Sequence, residues 1–127
     1  MKLNVDCIRD ILLLVEQAPY QEVVYLDKIK NSLKSYSSDE IEYAILKLNE
    51  AEYIDARIIH YDNGTIIRSI DDITYTGHQF LETIRDNKVW KETKSICGKV
   101  GTFALNFVSQ VASGVITSLI SQQFKSQ

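Results

Sequence analysis

The chain has 127 residues, of which 45% are hydrophobic and 24% are charged, with a formal net charge of −3. A chain of this size fits one domain with an appendage and can bury a modest core without metals or disulfides. Cys7 and Cys97 lie far apart, and charges occupy the N-terminal stretch where a signal peptide requires apolar residues. We therefore expect a cytoplasmic protein with reduced thiols, not a secreted one.

The charges are distributed unevenly along the chain. All seventeen acidic residues lie at or before Glu92, and the twenty-five residues between Lys99 and Lys125 carry no charge. This is the clearest composition shift in the sequence. It predicts a domain of residues 1–94, followed by a C-terminal apolar segment of residues 95–127.

The first half of the chain predicts helices separated by one short extended piece. Apolar residues at helical spacing indicate a helix over residues 4–17, with Asn4 as its N-cap and Pro19 just beyond its end. A short extended piece is expected within residues 20–26. A second helix is expected over residues 27–36, with lysines on its outer side.

A capping box and a hairpin follow. Ser37 and Glu40 have the spacing of a capping box and predict the start of a third helix. Asn63 and Gly64 lie between two runs rich in β-branched residues, which is the strongest short-range signal for a β-hairpin.

A fourth helix is predicted to begin at Thr76, with Gln79 completing a second capping box, and to continue toward Lys94. Gly77 is expected to allow close backbone approach where the last strand of the hairpin turns into this helix. Three helices followed by a two-stranded wing are typical of a winged-helix domain. The predicted fold class is therefore mainly α with a small β-hairpin (α+β), extended by a long C-terminal helix.

Several stretches carry a resemblance to a known family. The N-terminal MKLNVDCIRDILL, the hairpin, and ITYTGHQFL with downstream Arg85, Trp90 and Lys94 resemble the uncharacterised bacterial and phage family called Domain of Unknown Function 2513. The resemblance covers roughly the first three quarters of the chain and is weaker in the C-terminal helix. It implies a winged-helix-like fold and no assigned activity.

Winged helices most often bind DNA, with the third helix in the major groove. The third helix here is acidic, since one lysine faces five carboxylates over residues 38–52, and phosphates repel carboxylates. A solvated helix face explains the lysines of the second helix at least as well. The candidate nucleic-acid contacts are Lys28, Lys30, Lys34, Lys47, Arg57 and Arg68.

No pattern of catalytic or metal-binding residues emerges from the sequence. Cys7, His60, His78 and Cys97 are all the cysteines and histidines of the chain, and none pairs locally as zinc ligands do. The stretch GKVGT, residues 98–102, lacks the glycine and the hydroxyl residue that a phosphate loop requires. We expect a non-enzymatic protein with no catalytic, cofactor or metal site.

The C-terminal segment predicts one helix from Val100 onward, with apolar residues recurring every four positions. Such a helix, roughly 37 Å long, carries more apolar surface than a small domain can cover. Ten of residues 100–124 are Ser, Thr, Asn or Gln, which makes a membrane span the less favoured interpretation. A homodimer is preferred, with a candidate interface of Phe103, Phe107, Val111, Val115, Leu119 and Ile120.

Three functions remain open from the sequence. The fold favours a dimeric phage or bacterial regulator or other DNA-associated protein. The acidic third helix favours a winged-helix protein-interaction module that does not bind DNA. A membrane-associated protein held by the C-terminal helix is the third hypothesis.

Overall fold

The structure is a computed structural model that describes residues 1–125, with side chains through Phe124. Within these residues, six helices and three strands follow in the order α1 (Val5–Glu16), β1 (Val24–Tyr25), α2 (Leu26–Ser32), α3 (Ser38–Glu50), β2 (Ile54–Tyr61), β3 (Gly64–Ile73), α4 (Tyr75–Ile84), α5 (Asn87–Val100) and α6 (Leu105–Lys125). They form two compact units, residues 1–79 and a second unit that begins at Phe80.

The starts of α1 and α3 are fixed by side-chain caps, as the sequence predicts, whereas α2 starts without one. The Asn4 side chain accepts a hydrogen bond from the backbone N–H of Cys7 at 3.1 Å and caps α1. Ser37 and Glu40 form the capping box of α3. The Asn4 amide also donates to the Glu40 carboxylate at 2.8 Å, so one side chain of α3 stabilises the starts of both helices.

The hairpin is confirmed, and its second strand, β3, is the central strand of a small sheet. The three strands are antiparallel in the order β1-β3-β2, and Tyr61 pairs with Gly64 at the tip of the hairpin. The turn therefore consists of Asp62 and Asn63, within the predicted Asp62-Asn63-Gly64, and Gly64 is the first residue of β3. The extended piece expected within residues 20–26 is the two-residue strand β1.

The core of the first unit consists of aliphatic side chains from the helices and one face of the sheet. α1 packs against α3 and β3, and α2 packs against β3. Burial of this apolar surface is the main stabilising contribution to the unit. The fully buried side chains of residues 1–79 include Ile8, Ile11, Leu12, Val24, Ile29, Ile41, Ile45, Leu48, Ile54 and Ile70.

The second helix is shorter than predicted. It ends at Ser32, because Leu33 leaves the α region with φ −120° and ψ 53°. Asn31 and Ser32 favour such an exit, since their side chains compete for backbone hydrogen bonds. The following segment places Tyr36 beside α1, where its hydroxyl donates to the Asp10 carboxylate at 2.6 Å.

The start of α4 is capped by Thr74 and not by Thr76, which corrects the sequence prediction. The Thr74 hydroxyl accepts from the Gly77 N–H at 3.0 Å and donates to the Glu52 carbonyl at 2.6 Å. Gly77 is buried, and a Cβ at this position would overlap the Tyr53 carbonyl. The predicted role of Gly77 in close backbone approach is confirmed.

The predicted single helix to Lys94 is wrong, because α4 ends at Ile84 and a separate α5 begins at Asn87. Asp86 caps the new helix by accepting from the N–H groups of Lys88 and Val89, both at 2.9 Å. A short acidic side chain of this kind satisfies the free N–H groups at a helix start, so no Gly or Pro is needed to begin the new helix.

The C-terminal segment is also not one helix from Val100. α5 continues to Val100 and ends at Gly101, which has a left-handed φ of +91°, and α6 begins at Leu105. α5 and α6 form an antiparallel pair that buries Val108 and other small apolar residues of α6. The predicted boundary between residues 94 and 95 falls inside α5, and the division into domains 1–94 and 95–127 stays a prediction.

Candidate nucleic-acid interface

The carboxylates of α3 are partly neutralised within the first unit. Lys30 of α2 contacts Glu42 of α3 at 2.8 Å, and Lys47 contacts Glu50 one turn away at 2.8 Å. The hydrogen bond from Lys30 holds the pKa of Glu42 below its ordinary value, and the bond to Glu50 raises the pKa of Lys47. Two of the six candidate nucleic-acid contacts are therefore paired with acids of the chain itself.

Glu40 is the third acid of α3 that is held within the fold. Its hydrogen bonds from the Ser37 backbone N–H and the Asn4 amide lower its pKa. Asp39 is exposed and has no ion pair among residues 1–125. The outer side of α3 thus keeps an acidic character, although it is weaker than the sequence alone indicates.

Two β-bulges determine which charged side chains of the wing lack a cross-strand partner. The register moves from Asp55–Asp72 to Ala56–Ile70, which leaves Asp71 without a partner on β2. A bulge redirects the extra side chain. Asp71 accepts from the Ser69 hydroxyl at 2.8 Å and contacts the Arg57 guanidinium at 3.2 Å, which neutralises a third candidate contact.

The second bulge leaves Arg68 without a partner on β2, since Arg57 pairs with Ser69 and Ile58 with Ile67. Arg68 is exposed, as are Lys28 and Lys34 of the α2 region. None of these three cations forms an ion pair within the described part of the chain. The structure therefore leaves three of the six predicted contacts available to a phosphate.

The second unit carries basic residues that are not among the nucleic-acid contacts predicted from the sequence. Residues 1–79 contain fourteen acidic and eight basic side chains, a net of −6, whereas residues 80–127 contain three acidic and six basic, a net of +3. Lys88, Lys91 and Lys99 of α5 are exposed. Their spacing, interpreted on a separate helix over residues 87–100, would have revealed them.

The six candidate dimer residues differ in accessibility. Val115 is buried, at 6% exposed, within its own chain, so α6 itself is already partly covered. Phe107, Val111 and Leu119 are half-buried, whereas Phe103 and Ile120 are exposed. Phe124, one turn beyond Ile120, is 72% exposed. The surface of α6 that is free to contact a partner therefore lies toward its C-terminal end.

A shallow groove lies at the open end of the α5–α6 pair. Its volume is about 620 Å³, and both apolar and polar residues line it. The lining residues are Asp86, Lys88, Val89, Ile116, Leu119, Ile120, Gln122 and Gln123.

The cysteines and histidines are not gathered into a site. Cys7 and Cys97 are both buried and free, and His60 and His78 are exposed on β2 and α4. Among residues 1–125, no group of three or more Cys, His, Asp or Glu residues is arranged to hold a metal ion. Over the same residues, no helix combines the length and apolar content needed to cross a bilayer.

The first unit, with three helices and a β-hairpin wing, defines a winged-helix protein. The same fold is found in a PadR family transcription regulator from hypervirulent Clostridium difficile R20291, with a TM-score of 0.50 and 15% identity over 76% of this chain and 98% of that chain. The chain belongs to the DUF2513 family, described as "Hypothetical protein (DUF2513)", whose model matches residues 2–103. An uncharacterized protein of Haemophilus influenzae is 29% identical over 123 residues, which cover 95% of this chain and 100% of the relative.

Proposed function

We propose that this winged-helix protein is a non-enzymatic, DNA-associated regulator that acts as a homodimer in a bacterial or phage-infected cytoplasm. The observation that carries the proposal is a set of three exposed cations without an ion pair in the described residues: Lys28 on α2, Lys34 just after α2, and Arg68 on the wing. In helix-turn-helix proteins, the helix before the reader crosses the phosphate backbone, which is the position of α2. Contacts of this kind position a protein on DNA without reading its sequence.

Binding to a random DNA duplex tests this proposal. We expect wild-type protein to bind a labelled duplex at about 50 mM salt, where non-specific contacts are strongest. The triple variant K28Q/K34Q/R68Q should bind at least about tenfold more weakly, because each lost phosphate contact removes counterion release. The control is Lys2→Gln, which removes one exposed charge outside these elements. Failure of the wild type to bind at tens of micromolar would exclude a DNA-associated role.

A protein-interaction module is the second candidate, favoured by the ion pairs and acids of α3. The Lys47 ammonium is held between Glu50 and the Tyr43 ring, 5.3 Å from the ring centroid, and not directed toward a free phosphate. If α3 lies against DNA, Asp39→Asn should strengthen duplex binding, because it removes a carboxylate beside phosphates. If the protein is an interaction module, neither the wild type nor this variant should bind duplex.

Homodimerisation through α6 is supported by its exposed apolar residues and its lack of charge. Ile120 is 52% exposed and Phe124 is 72% exposed, which is unusual for large apolar residues at neighbouring positions of one helix face. In a two-fold interface the same residues face each other, so like charges would repel. Residues 105–124 carry no charge, and two copies of α6 can therefore meet without that repulsion.

The mass of the protein in solution tests the dimer. We expect sedimentation equilibrium to give twice the chain mass of 14.5 kDa, and Ile120→Asp to give a monomer. The control is Tyr20→Asp, which removes another exposed apolar residue, 90% exposed, from a loop outside α6. A wild-type protein that sediments as a monomer at high concentration would overturn this part of the proposal.

A further inference from the structure

The outer face of α5 is basic, and its inner face is buried. Lys88, Lys91 and Lys99 are exposed, and the positions between them on the same face are the small residues Ser95 and Gly98. At 100° per residue, these five residues fall within one face of the helix. The opposite face is occupied by Val89, Trp90, Thr93 and Cys97, all buried.

One acid reduces the charge of this face without cancelling it. Glu92, the one acidic residue of α5, is exposed at the edge of the face, about one turn from Lys88, so three lysines and one carboxylate leave a net charge of +2. Lys88, Lys91 and Lys99 form no ion pair with any carboxylate in the part of the chain that the structure describes. The neighbouring α6 contributes no charge over residues 105–124. A basic face on an overall acidic chain is therefore a distinct electrostatic feature.

We propose that the outer face of α5, formed by Lys88, Lys91 and Lys99, binds the sugar–phosphate backbone of duplex nucleic acid without reading its sequence. This inference rests on the proposed DNA association and assigns a second contact surface to it, on a different unit from α2 and the wing. The unit that carries this face has a net charge of +3, whereas the winged-helix unit has a net charge of −6.

The composition of the face favours nucleic acid over a membrane or a protein. A helix that lies on a bilayer inserts its apolar face into the lipid, but the apolar residues of α5, such as Trp90 at 5% exposed, are already buried. Protein interfaces are enriched in aromatic residues and Arg and depleted in Lys. The outer face of α5 has three lysines and two small residues, with the Glu92 carboxylate at its edge, and lysines of this kind suit phosphate contacts.

The spacing of the lysines matches a phosphate backbone. Lys88 and Lys99 are eleven residues apart, which corresponds to roughly 16 Å along the helix axis. One DNA strand carries a phosphate about every 3.4 Å along the duplex axis, so this face spans about five phosphates. Three contacts would contribute about 2.7 to the slope of log affinity against log salt.

Paired triple variants test the inference. The affinity of K88Q/K91Q/K99Q for a random duplex is measured by fluorescence anisotropy over a range of KCl concentrations, beside K28Q/K34Q/R68Q and the wild type. We expect the α5 variant to bind at least about tenfold more weakly than the wild type at 0.1 M salt. The slope of log affinity against log salt concentration should be smaller in magnitude by about three. The charge-conserving K88R/K91R/K99R should bind as the wild type does, which separates loss of charge from loss of folding.

The outcomes distinguish this inference from the proposed function. If the wild type binds and K88Q/K91Q/K99Q binds equally well, the α5 surface is wrong, and DNA association through α2 and the wing stands. If the wild type does not bind duplex, both proposals fail. If the wild type binds vesicles containing phosphatidylserine but not DNA, and the α5 variant loses that binding, the partner is a lipid surface and the inference is overturned.

Discussion

Replacing Gly77 by alanine is the sharpest test of how the wing joins α4. The added Cβ would overlap the Tyr53 carbonyl oxygen and lie 2.8 Å from both the Tyr53 carbonyl carbon and the Ile73 Cγ2 atom. The overlapped group is backbone, so no change of side-chain rotamer can relieve the contact. The start of α4 must therefore move away from the start of β2.

The loss of folding free energy in Gly77→Ala can be estimated from the groups that must move. Overpacking in a buried site costs roughly 1–3 kcal/mol. The Tyr53 carbonyl accepts the Thr74 N–H at 3.0 Å, and losing this bond costs about 1 kcal/mol more. Alanine is better than glycine inside a helix by about 1 kcal/mol, which acts in the opposite direction. The expected net destabilisation of Gly77→Ala is therefore about 1–3 kcal/mol.

Urea unfolding followed by circular dichroism measures this change. With a slope of about 2 kcal/mol per molar, the midpoint should fall by roughly 0.5–1.5 M. The matched control is Gly114→Ala on α6, where an added Cβ meets no atom within 4 Å. That variant should be as stable as the wild type or up to about 1 kcal/mol more stable. If both alanine variants raise the midpoint, the proposed close approach at Gly77 is refuted.

Three further predictions concern the capping box of α3 and the two thiols. Ser37→Ala should lower the free energy of unfolding by about 1 kcal/mol because α3 loses its cap, and urea titration should show no comparable change for the exposed Ser35→Ala. The pKa of Glu40 is lower in the folded protein than its ordinary value of 4.5, so the ionised carboxylate stabilises the fold above that pH and this effect is lost as pH falls through the folded pKa. The unfolding midpoint of Glu40→Gln should therefore depend less on pH below 4.5 than that of the wild type. The same dependence of the midpoint on pH in both proteins would contradict this. Burial raises the pKa of the Cys7 thiol to about 12 and also raises that of Cys97, so both should react at least about tenfold more slowly with Ellman's reagent in native protein than in concentrated urea, and rapid native reaction would contradict their burial.

Local signals in the sequence predicted most of the elements of the first unit. The capping box of Ser37 and Glu40 and the N-cap Asn4 depend on residues three or four positions apart, so a single sequence contains the whole interaction. The hairpin near Asn63 is local in the same sense. Each of these features is present in the structure.

The errors at α4 and α5 have physical causes that the sequence pattern does not distinguish. Thr74 and Thr76 are both acceptable caps, and the tertiary hydrogen bond from Thr74 to the Glu52 carbonyl selects the first. The break before α5 has no Gly or Pro, because Asp86 supplies the new cap. Local propensity is a weak guide where tertiary contacts choose between near-equal alternatives.

The candidate site was harder to predict because its charges are set by contacts between distant elements. Lys30 and Glu42 lie on different helices, and Arg57 meets Asp71 through a bulge in the partner strand. Neither pairing follows from spacing along the chain. The lysines of α5 were overlooked because one continuous helix was predicted toward Lys94, which separates Lys88 and Lys91 from Lys99.

The charge-free composition of α6 has a consequence for handling the protein in solution. Contacts made by residues 105–124 involve no ions, so added electrolyte does not screen them, and salting-out anions such as sulfate strengthen them. Attachment to a polyanion weakens steeply under the same conditions. If the proposed dimer and the proposed DNA contact both form, titration with potassium chloride should therefore release the bound polynucleotide while the dimer stays intact.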